Sequence, residues 1–167
     1  KTLSDYLAGK VTTLSIGRLK VSMGGHTISE RVLNDILVTQ QNPAATSRYV
    51  IRVGRREELQ RSSGIWISTA AGSTAAIAAA GGKRIPLTHR EFQYVIREPF
   101  GFASHYAMTR GVLKPSQNLE VESRMEGGRL YIDGPRNSYP FPIGEIASFE
   151  ARGAPLHVVG IKNRRKR

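Results

Sequence analysis

Short runs of alternating polar and apolar residues dominate this chain. Residues 18–23 (Arg-Leu-Lys-Val-Ser-Met) alternate strictly, which is typical of a strand with one buried face. Similar runs, separated by glycine, proline or asparagine, predict further strands. These predicted strands are residues 32–39, 48–53, 65–69, 94–97, 119–124, 129–132, 146–151 and 156–161. Many short strands joined by turns predict a mainly β fold, a β-sandwich of two packed sheets.

Helical signals are confined to two segments. Residues 2–8 form a short candidate near the start, and residues 73–80 form an alanine-rich one that ends at Gly81 and Gly82, a common helix cap. No internal repeat or low-complexity linker interrupts the pattern. We therefore expect a single β-rich domain over residues 1–161 with one short alanine-rich helix, followed by a basic tail over residues 162–167.

Composition narrows the chemistry. The chain has 167 residues, of which 40% are hydrophobic and 23% charged, as in globular domains. It contains no cysteine, which excludes disulfides and thiol catalysis. The four histidines are far apart in sequence, so we predict no metal site. No apolar run approaches the roughly 20 residues that span a bilayer, and no membrane segment is expected.

A formal net charge of +12 is the strongest signal in the composition. It indicates an anionic partner or a solubilising surface, and nucleic acid, anionic lipid and a phosphorylated small molecule all fit. Nucleic acid is the less expected partner, because the chain has few aromatic residues and no Lys-Gly-Phe-x-Phe type of pattern that would stack bases. Charge alone does not choose among these ligands.

The segment most informative about chemistry is residues 62–82. An apolar strand leads into a loop with Gly72, Ser73 and Thr74, and then into the predicted helix. Such a passage presents backbone N–H groups and a helix dipole to an anion or polar ligand, and Gly72 permits close approach of the backbone. The alternative is that Ser73 simply caps a packed helix. The loop matches neither the Walker A pattern nor Gly-x-Gly-x-x-Gly.

Four elements of the chain, in order, resemble the motifs of NAD kinases. The longest is residues 64–82, which resembles the family signature Asp-Gly-x-x-x-Ser-Thr-Pro-x-Gly-Ser-Thr-Ala-Tyr followed by Gly-Gly. The other three are Val-Leu-Asn-Asp-Ile at 32–36, Gly-Val-Leu-Lys-Pro at 111–115 and Leu-Tyr-Ile-Asp-Gly at 130–134. The resemblance extends over about residues 14–161. The Ser-Ser-Gly start of the signature is closest to the divergent, mitochondrial-type branch of the family.

The resemblance implies a dinucleotide site. The family's Asn-Glu/Asp pair contacts the adenine and ribose side, and this role carries over to Asn34 and Asp35, whose amide and carboxylate suit the adenine amine and a ribose hydroxyl. The Gly-Ser-Thr-Ala loop lines the same pocket. The implied cofactor-binding residues are Asn34, Asp35, Ser63, Thr69, Ala71, Gly72, Ser73, Thr74, Ala75 and Ala79.

Two residues depart from the family pattern, and one motif has no counterpart. Ser63 stands where most members have Asp, and Ala76 stands where most have Tyr, so preference between NAD and NADH stays open. Nothing in the chain matches the Gly-Gly-Asp-Gly-Thr loop of the family's N-terminal α/β domain, which supplies phosphate binding and the catalytic Asp. We therefore predict no catalytic residue in this chain and expect it to be inactive alone. His105 is considered only as a pocket residue, and Asp133 in Asp-Gly-Pro is typical of a hairpin turn.

As part of a whole enzyme, the resemblance implies phosphorylation of the adenosine ribose 2′-hydroxyl of NAD by ATP and Mg²⁺, with NADP as the product. It also implies a homodimer or higher oligomer, located in the cytoplasm or the mitochondrial matrix. The alternatives are a lipid or sugar kinase of the same superfamily, or a basic nucleic-acid-binding β module. Steep salt dependence of oligonucleotide binding would favour the last of these.

Overall fold

The computed structural model describes residues 3–101 and 105–159, and within them the chain is built almost entirely from antiparallel strands. The helical elements are α1 (Leu3–Leu7), a 3₁₀ turn (Ala71–Thr74) and α2 (Ala76–Ala79). The strands are β1 (Thr13–Ile16), β2 (Leu19–Met23), β3 (His26–Val32), β4 (Asp35–Gln40), β5 (Ser47–Val53), β6 (Arg56–Ser62), β7 (Gly64–Ser68), β8 (Phe92–Arg97), β9 (Arg110–Leu113), β10 (Asn118–Ser123), β11 (Gly128–Ile132), β12 (Ser138–Pro140), β13 (Ile146–Glu150) and β14 (Leu156–Val159).

Twelve of these strands form two six-stranded sheets. Sheet I has the order β3-β2-β13-β10-β5-β6, and sheet II has the order β12-β11-β4-β7-β8-β9. The remaining pair, β1 and β14, forms a two-stranded ribbon. Strands that are distant in sequence lie side by side, as β4 does between β7 and β11. This arrangement brings the motifs at residues 32–36, 64–75 and 130–134 onto neighbouring strands of sheet II.

The hydrophobic core lies between the two sheets. Alternate residues of each strand enter it, such as Leu119 and Val121 from sheet I and Ile36 and Val38 from sheet II, and all four are fully buried. This period-two burial is the physical basis of the alternation seen in the sequence. The predicted mainly β sandwich is thus confirmed.

Each strand predicted from the sequence is present, with shifted ends. The largest difference falls in residues 32–39, which contain a break: β3 ends at Val32 and β4 begins at Asp35. Three parts of the predicted elements lie outside the described residues: residue 2 of the first predicted helix, residues 160 and 161 of the last predicted strand, and the basic tail over residues 162–167. The strands that the pattern missed are β1, β3, β6, β9 and β12. β6 (Arg-Glu-Glu-Leu-Gln-Arg-Ser) shows why, since it is an edge strand whose charges hide the alternation.

The predicted helix over residues 73–80 is wrong as a single element. A 3₁₀ turn ends at Thr74, Ala75 has φ −87° and ψ −147°, and α2 is a single turn that begins at Ala76. The cause is Ser73, whose buried hydroxyl hydrogen-bonds the backbone of Ala70 and Ile85 and fixes the loop before the helix can start. The expected cap is correct, because Gly81 has φ +89° and follows α2 closely.

Candidate functional site

The turn between β3 and β4 is held by the carboxylate of Asp133. Its Oδ2 accepts a hydrogen bond from the N–H of Leu33 at 2.9 Å, and its Oδ1 accepts from Asn34 at 2.7 Å and Asp35 at 3.3 Å. The N–H of Asp133 returns a bond to the carbonyl of Asp35 at 2.9 Å. Asp133 has φ +50°, a left-handed conformation that aspartate tolerates better than most residues. One side chain therefore satisfies three backbone donors that the break in the strand leaves unpaired.

The loop after β7 docks directly on this turn. The N–H of Thr69 donates to the carbonyl of Asn34 at 3.0 Å, and the Thr69 hydroxyl donates to the carbonyl of Leu33. The same hydroxyl accepts from the N–H of Gly72 at 3.2 Å. A Cβ placed on Gly72 would lie 2.1 Å from the Asn34 carbonyl oxygen, so only glycine fits here. Two motifs that are separate in sequence thus share one backbone contact.

The loop hydroxyls have different surroundings. Ser73 is fully buried, and its Oγ donates to the carbonyl of Ala70 at 2.7 Å and accepts from the N–H of Ile85 at 3.0 Å. Its side chain therefore stabilises the loop and is turned away from solvent. Thr74, Ala75 and Ala79 are exposed beside it, and Ala71 is half-buried.

Asp35 opens onto a groove of about 520 Å³ on the outer face of sheet II. Tyr131, Leu37 and Trp66 lie directly opposite one another on three neighbouring strands and give the groove an apolar floor. The Arg97 guanidinium lies 5.8 Å from the centroid of the Trp66 ring, a cation–π contact. The full lining consists of Asp35, Leu37, Thr39, Gln40, Gln41, Pro43, Ser63, Trp66, Arg97, Tyr131, Gly134 and Pro135.

The electrostatics of the groove centre on Asp35. Partial burial, and secondarily the negative charge of Asp133, raise the pKa of the Asp35 carboxyl above its ordinary value. Neither the Asp35 carboxylate nor the Asn34 amide makes a hydrogen bond to another described residue, although the backbone of both is fully engaged. The turn is therefore rigid in its backbone and presents two polar side chains that are available to a ligand.

The predicted site residues fall into two groups. Asn34, Thr69 and Gly72 meet at the contact between turn and loop, with Asp35 beside them. Ser63 also lines the groove but at its far end. Asp35 pairs with Ser68, and Ser63, which directly precedes β7, comes five residues earlier in the chain, roughly 16 Å away. These assignments to cofactor binding remain predictions.

The contribution of Asp133 to the site could not be predicted from the sequence. Asp133 does lie in the β11–β12 turn, as expected, but the pattern gave no sign that its carboxylate reaches residues about one hundred positions away. Trp66, Tyr131 and Arg97 were also missed. The alternation of β7, β8 and β11 could have indicated them, because these three residues occupy positions that point away from the core. His105 is described and exposed, but it does not line the groove.

Among residues 3–101 and 105–159, no group of three or more His, Asp or Glu side chains could hold a metal ion. No helix in this part of the chain is long and apolar enough to cross a membrane.

The fold has counterparts among solved structures. Yeast NADH kinase, solved in complex with NADH, superposes with a TM-score of 0.80 at 16% identity, over 96% of this chain and 48% of that one. An NAD kinase from Archaeoglobus fulgidus, solved in complex with ATP, gives a TM-score of 0.70 at 24% identity, over 97% and 59% of the two chains. The sandwich is therefore that of NAD kinases and NADH kinases.

Sequence comparison agrees and is more specific. No model of a protein family matches the chain. A probable NADH kinase from Oryza sativa subsp. japonica is 32% identical over 164 residues, which is 94% of this chain and 50% of that protein. An NADH kinase from Arabidopsis thaliana is 32% identical over 165 residues, 95% and 52% of the two. The chain spans about half the length of these two relatives, and over that half its sequence is similar to theirs.

Substitution Asp133→Asn tests whether the carboxylate holds the turn. Asparagine keeps the shape and tolerates φ +50°, but it removes the charge that three N–H groups share. We expect the free energy of unfolding to fall by about 1.5–3 kcal/mol and the amides of Leu33 and Asn34 to exchange faster with solvent. Urea unfolding and amide hydrogen exchange measure both. Arg136→Ala, an exposed change in the same turn, should alter the free energy of unfolding by no more than about 0.5 kcal/mol. Equal stability of Asp133→Asn and the unmodified chain would show that the carboxylate does not hold the turn.

Proposed function

We propose that this chain supplies the dinucleotide-binding part of an NAD(H) kinase. The whole enzyme would transfer a phosphoryl group from ATP to the 2′-hydroxyl of the adenosine ribose of NAD or NADH, giving the corresponding NADP or NADPH. The proposal draws on the names of the plant relatives and on the NADH and ATP complexes of the two structural neighbours.

The observation that carries the proposal is the contact between the 33–35 turn and the 69–72 loop. Asn34 and Gly72 belong to separate motifs, yet their backbones touch and both are fixed by hydrogen bonds. A rigid turn that presents an amide and a carboxylate suits a nucleoside, because the amide can read the base and the carboxylate can accept from ribose hydroxyls. Preorganisation of this kind lowers the entropic cost of binding.

The phosphoryl-transfer step is proposed to depend on residues outside this chain. No Gly-Gly-Asp-Gly-Thr sequence is present in its 167 residues. Positioning and neutralisation of phosphate charge dominate this chemistry. Bound Mg²⁺ would supply part of that neutralisation in the whole enzyme, and the described carboxylates here form no cluster suited to it. The part of this chain is to bind and orient the dinucleotide.

We further propose that the chain forms a homodimer through the outer face of sheet II. Tyr131, Leu37 and Trp66 form an apolar row on that face, which is a favourable surface to bury. Asp35 and Ser63 lie at opposite ends of the groove. In a two-fold dimer of this face, Ser63 of a second copy would approach the turn that carries Asp35. In such a dimer, Asp35 of one copy and Ser63 of the other could contact the same ligand, although the two residues are far apart within one copy.

Binding of NADH tests the proposed site, and the chain contains its own reporter. Trp66 is the single tryptophan, and it lies on the groove floor. NADH accepts energy from excited tryptophan, so binding should quench Trp66 emission and sensitise emission from NADH. The double variant Asn34→Ala, Asp35→Ala removes both polar side chains and should weaken binding at least tenfold, which corresponds to about 1.4 kcal/mol.

The matched control is Asn118→Ala, Glu120→Ala, which also removes one amide and one carboxylate, but from β10 of sheet I. It should bind NADH like the unmodified chain. Saturable binding that survives the Asn34, Asp35 substitution would contradict the proposed site, and so would the absence of any transfer from Trp66 at millimolar NADH.

The dimer is tested by Trp66→Arg, which places a charge in the apolar row. We expect the unmodified chain to sediment as a dimer and the variant as a monomer, because burying an unpaired guanidinium is costly. Analytical ultracentrifugation gives the mass, and thermal unfolding checks the fold. Ile143→Arg, at an exposed isoleucine outside the groove, should leave the dimer intact. A monomeric unmodified chain, or a dimeric and folded Trp66→Arg variant, would overturn the interface.

A further inference from the structure

Three arginines lie side by side on the outer face of sheet I. Arg48 of β5 is directly opposite Arg61 of β6. Ser123 pairs with Tyr49, so Arg124 is the neighbour of Arg48 on the other side, and its N–H donates to the Arg48 carbonyl at 2.9 Å. Adjacent strands are about 4.8 Å apart. We call Arg48, Arg61 and Arg124 the arginine row.

The row is poorly neutralised by its own surroundings. Arg124 pairs with Glu122 at 2.6 Å, but Glu122 also binds Arg52 at 2.5 Å, so one carboxylate serves two guanidiniums. The side chains of Arg48 and Arg61 form no ion pair or hydrogen bond with another described residue. Like charges directly opposite on neighbouring strands are unfavourable. The protein therefore tolerates an electrostatic cost at this place.

One donor in the row is also left without a partner. The Nε of Arg61 is buried and makes no hydrogen bond among the described residues. The Arg61 guanidinium is held over the ring of Phe100, 4.3 Å from its centroid, while the Phe100 N–H donates to the Arg61 carbonyl at 2.8 Å. A buried donor without an acceptor costs free energy. Phe100 thus fixes the direction in which Arg61 points.

The surface beside the row is an open depression of about 550 Å³. It is lined by the three arginines together with Val50 and Leu59. Leu59 is 57% exposed and Phe100 is 55% exposed, both large values for apolar side chains. Cationic groups and bare apolar surface therefore occur together. This combination suits a ligand that has an anionic group and a less polar body.

We propose that the arginine row binds the phosphoryl group of a dissolved phosphorylated small molecule. Guanidinium groups bind phosphate oxygens in a bidentate manner, and two unneutralised arginines beside a partly neutralised third match the charge of a phosphate dianion or a pyrophosphate. The exposed side chain of Leu59 would contact the organic part of the ligand. The row lies on sheet I and the groove on sheet II, with the core between them, so this is a second site.

Inorganic pyrophosphate is the probe for the test, titrated into the intact chain at physiological salt. We expect saturable binding that shifts the side-chain Nε–H resonance of Arg61. Arg48→Ala and Arg61→Ala should each weaken binding at least tenfold. Arg152→Ala removes the same charge at an exposed position outside the row and should change affinity less than twofold. Arg48→Ala should be at least as heat-stable as the unmodified chain, because it relieves repulsion between neighbouring arginines.

Several outcomes would overturn the proposal. Binding that does not saturate, or an equal loss in Arg152→Ala, would mean that only net charge matters. Two further arms distinguish the source of the phosphoryl group. One arm uses vesicles that contain phosphatidic acid, and the other uses a single-stranded oligonucleotide. If either binds in an Arg48-dependent way while pyrophosphate does not bind, the ligand of the row is a lipid or a nucleic acid, and the proposal of a dissolved small molecule fails.

Discussion

Three backbone N–H groups converge on the carboxylate of Asp133, and the arrangement of the candidate site depends on this interaction. The break between β3 and β4 leaves these donors without strand partners, and the Asp133 carboxylate takes the place of those partners. Because Asp133 satisfies them from the neighbouring β11–β12 turn, the carbonyl of Asn34 is fixed in space, and it then accepts the N–H of Thr69. The approach of Gly72 follows from the same fixed carbonyl. Sheet pairing thus brings two distant parts of the chain, the β11–β12 turn and the loop after β7, to the turn between β3 and β4.

The two outer faces of the sandwich carry different chemistry. Sheet II presents an apolar row with a half-buried carboxylate at one end, whereas sheet I presents three adjacent arginines beside exposed apolar side chains. Both faces use outward positions of strands whose inward positions form a common core. The outward positions can therefore vary without disturbing the sandwich. Part of the +12 charge read from the composition is concentrated in the arginine row, where it is locally unneutralised.

The parts of the structure that could be predicted from the sequence are those encoded locally. Alternation located the core strands, because each residue that faces the core is followed by one that does not. β6 could not be predicted from the alternation, because it is an edge strand and carries charged residues at positions that are apolar in a strand with one buried face. The helix over residues 73–80 was mispredicted because alanine propensity is local, whereas the hydrogen bond from Ile85 to Ser73 that breaks the helix is not. The position of Asp133 was predicted as a turn, but its partners are set by the sheet order, which no local pattern contains.

We expect the turn between β3 and β4 and the loop after β7 to form the dinucleotide site together. Amide chemical shifts of the isotope-labelled chain, followed during addition of NADH, test this claim residue by residue. We expect the largest shifts at Asn34, Asp35, Gly72 and Thr74. Shifts confined to sheet I, or spread evenly over the basic surface, would contradict this expectation.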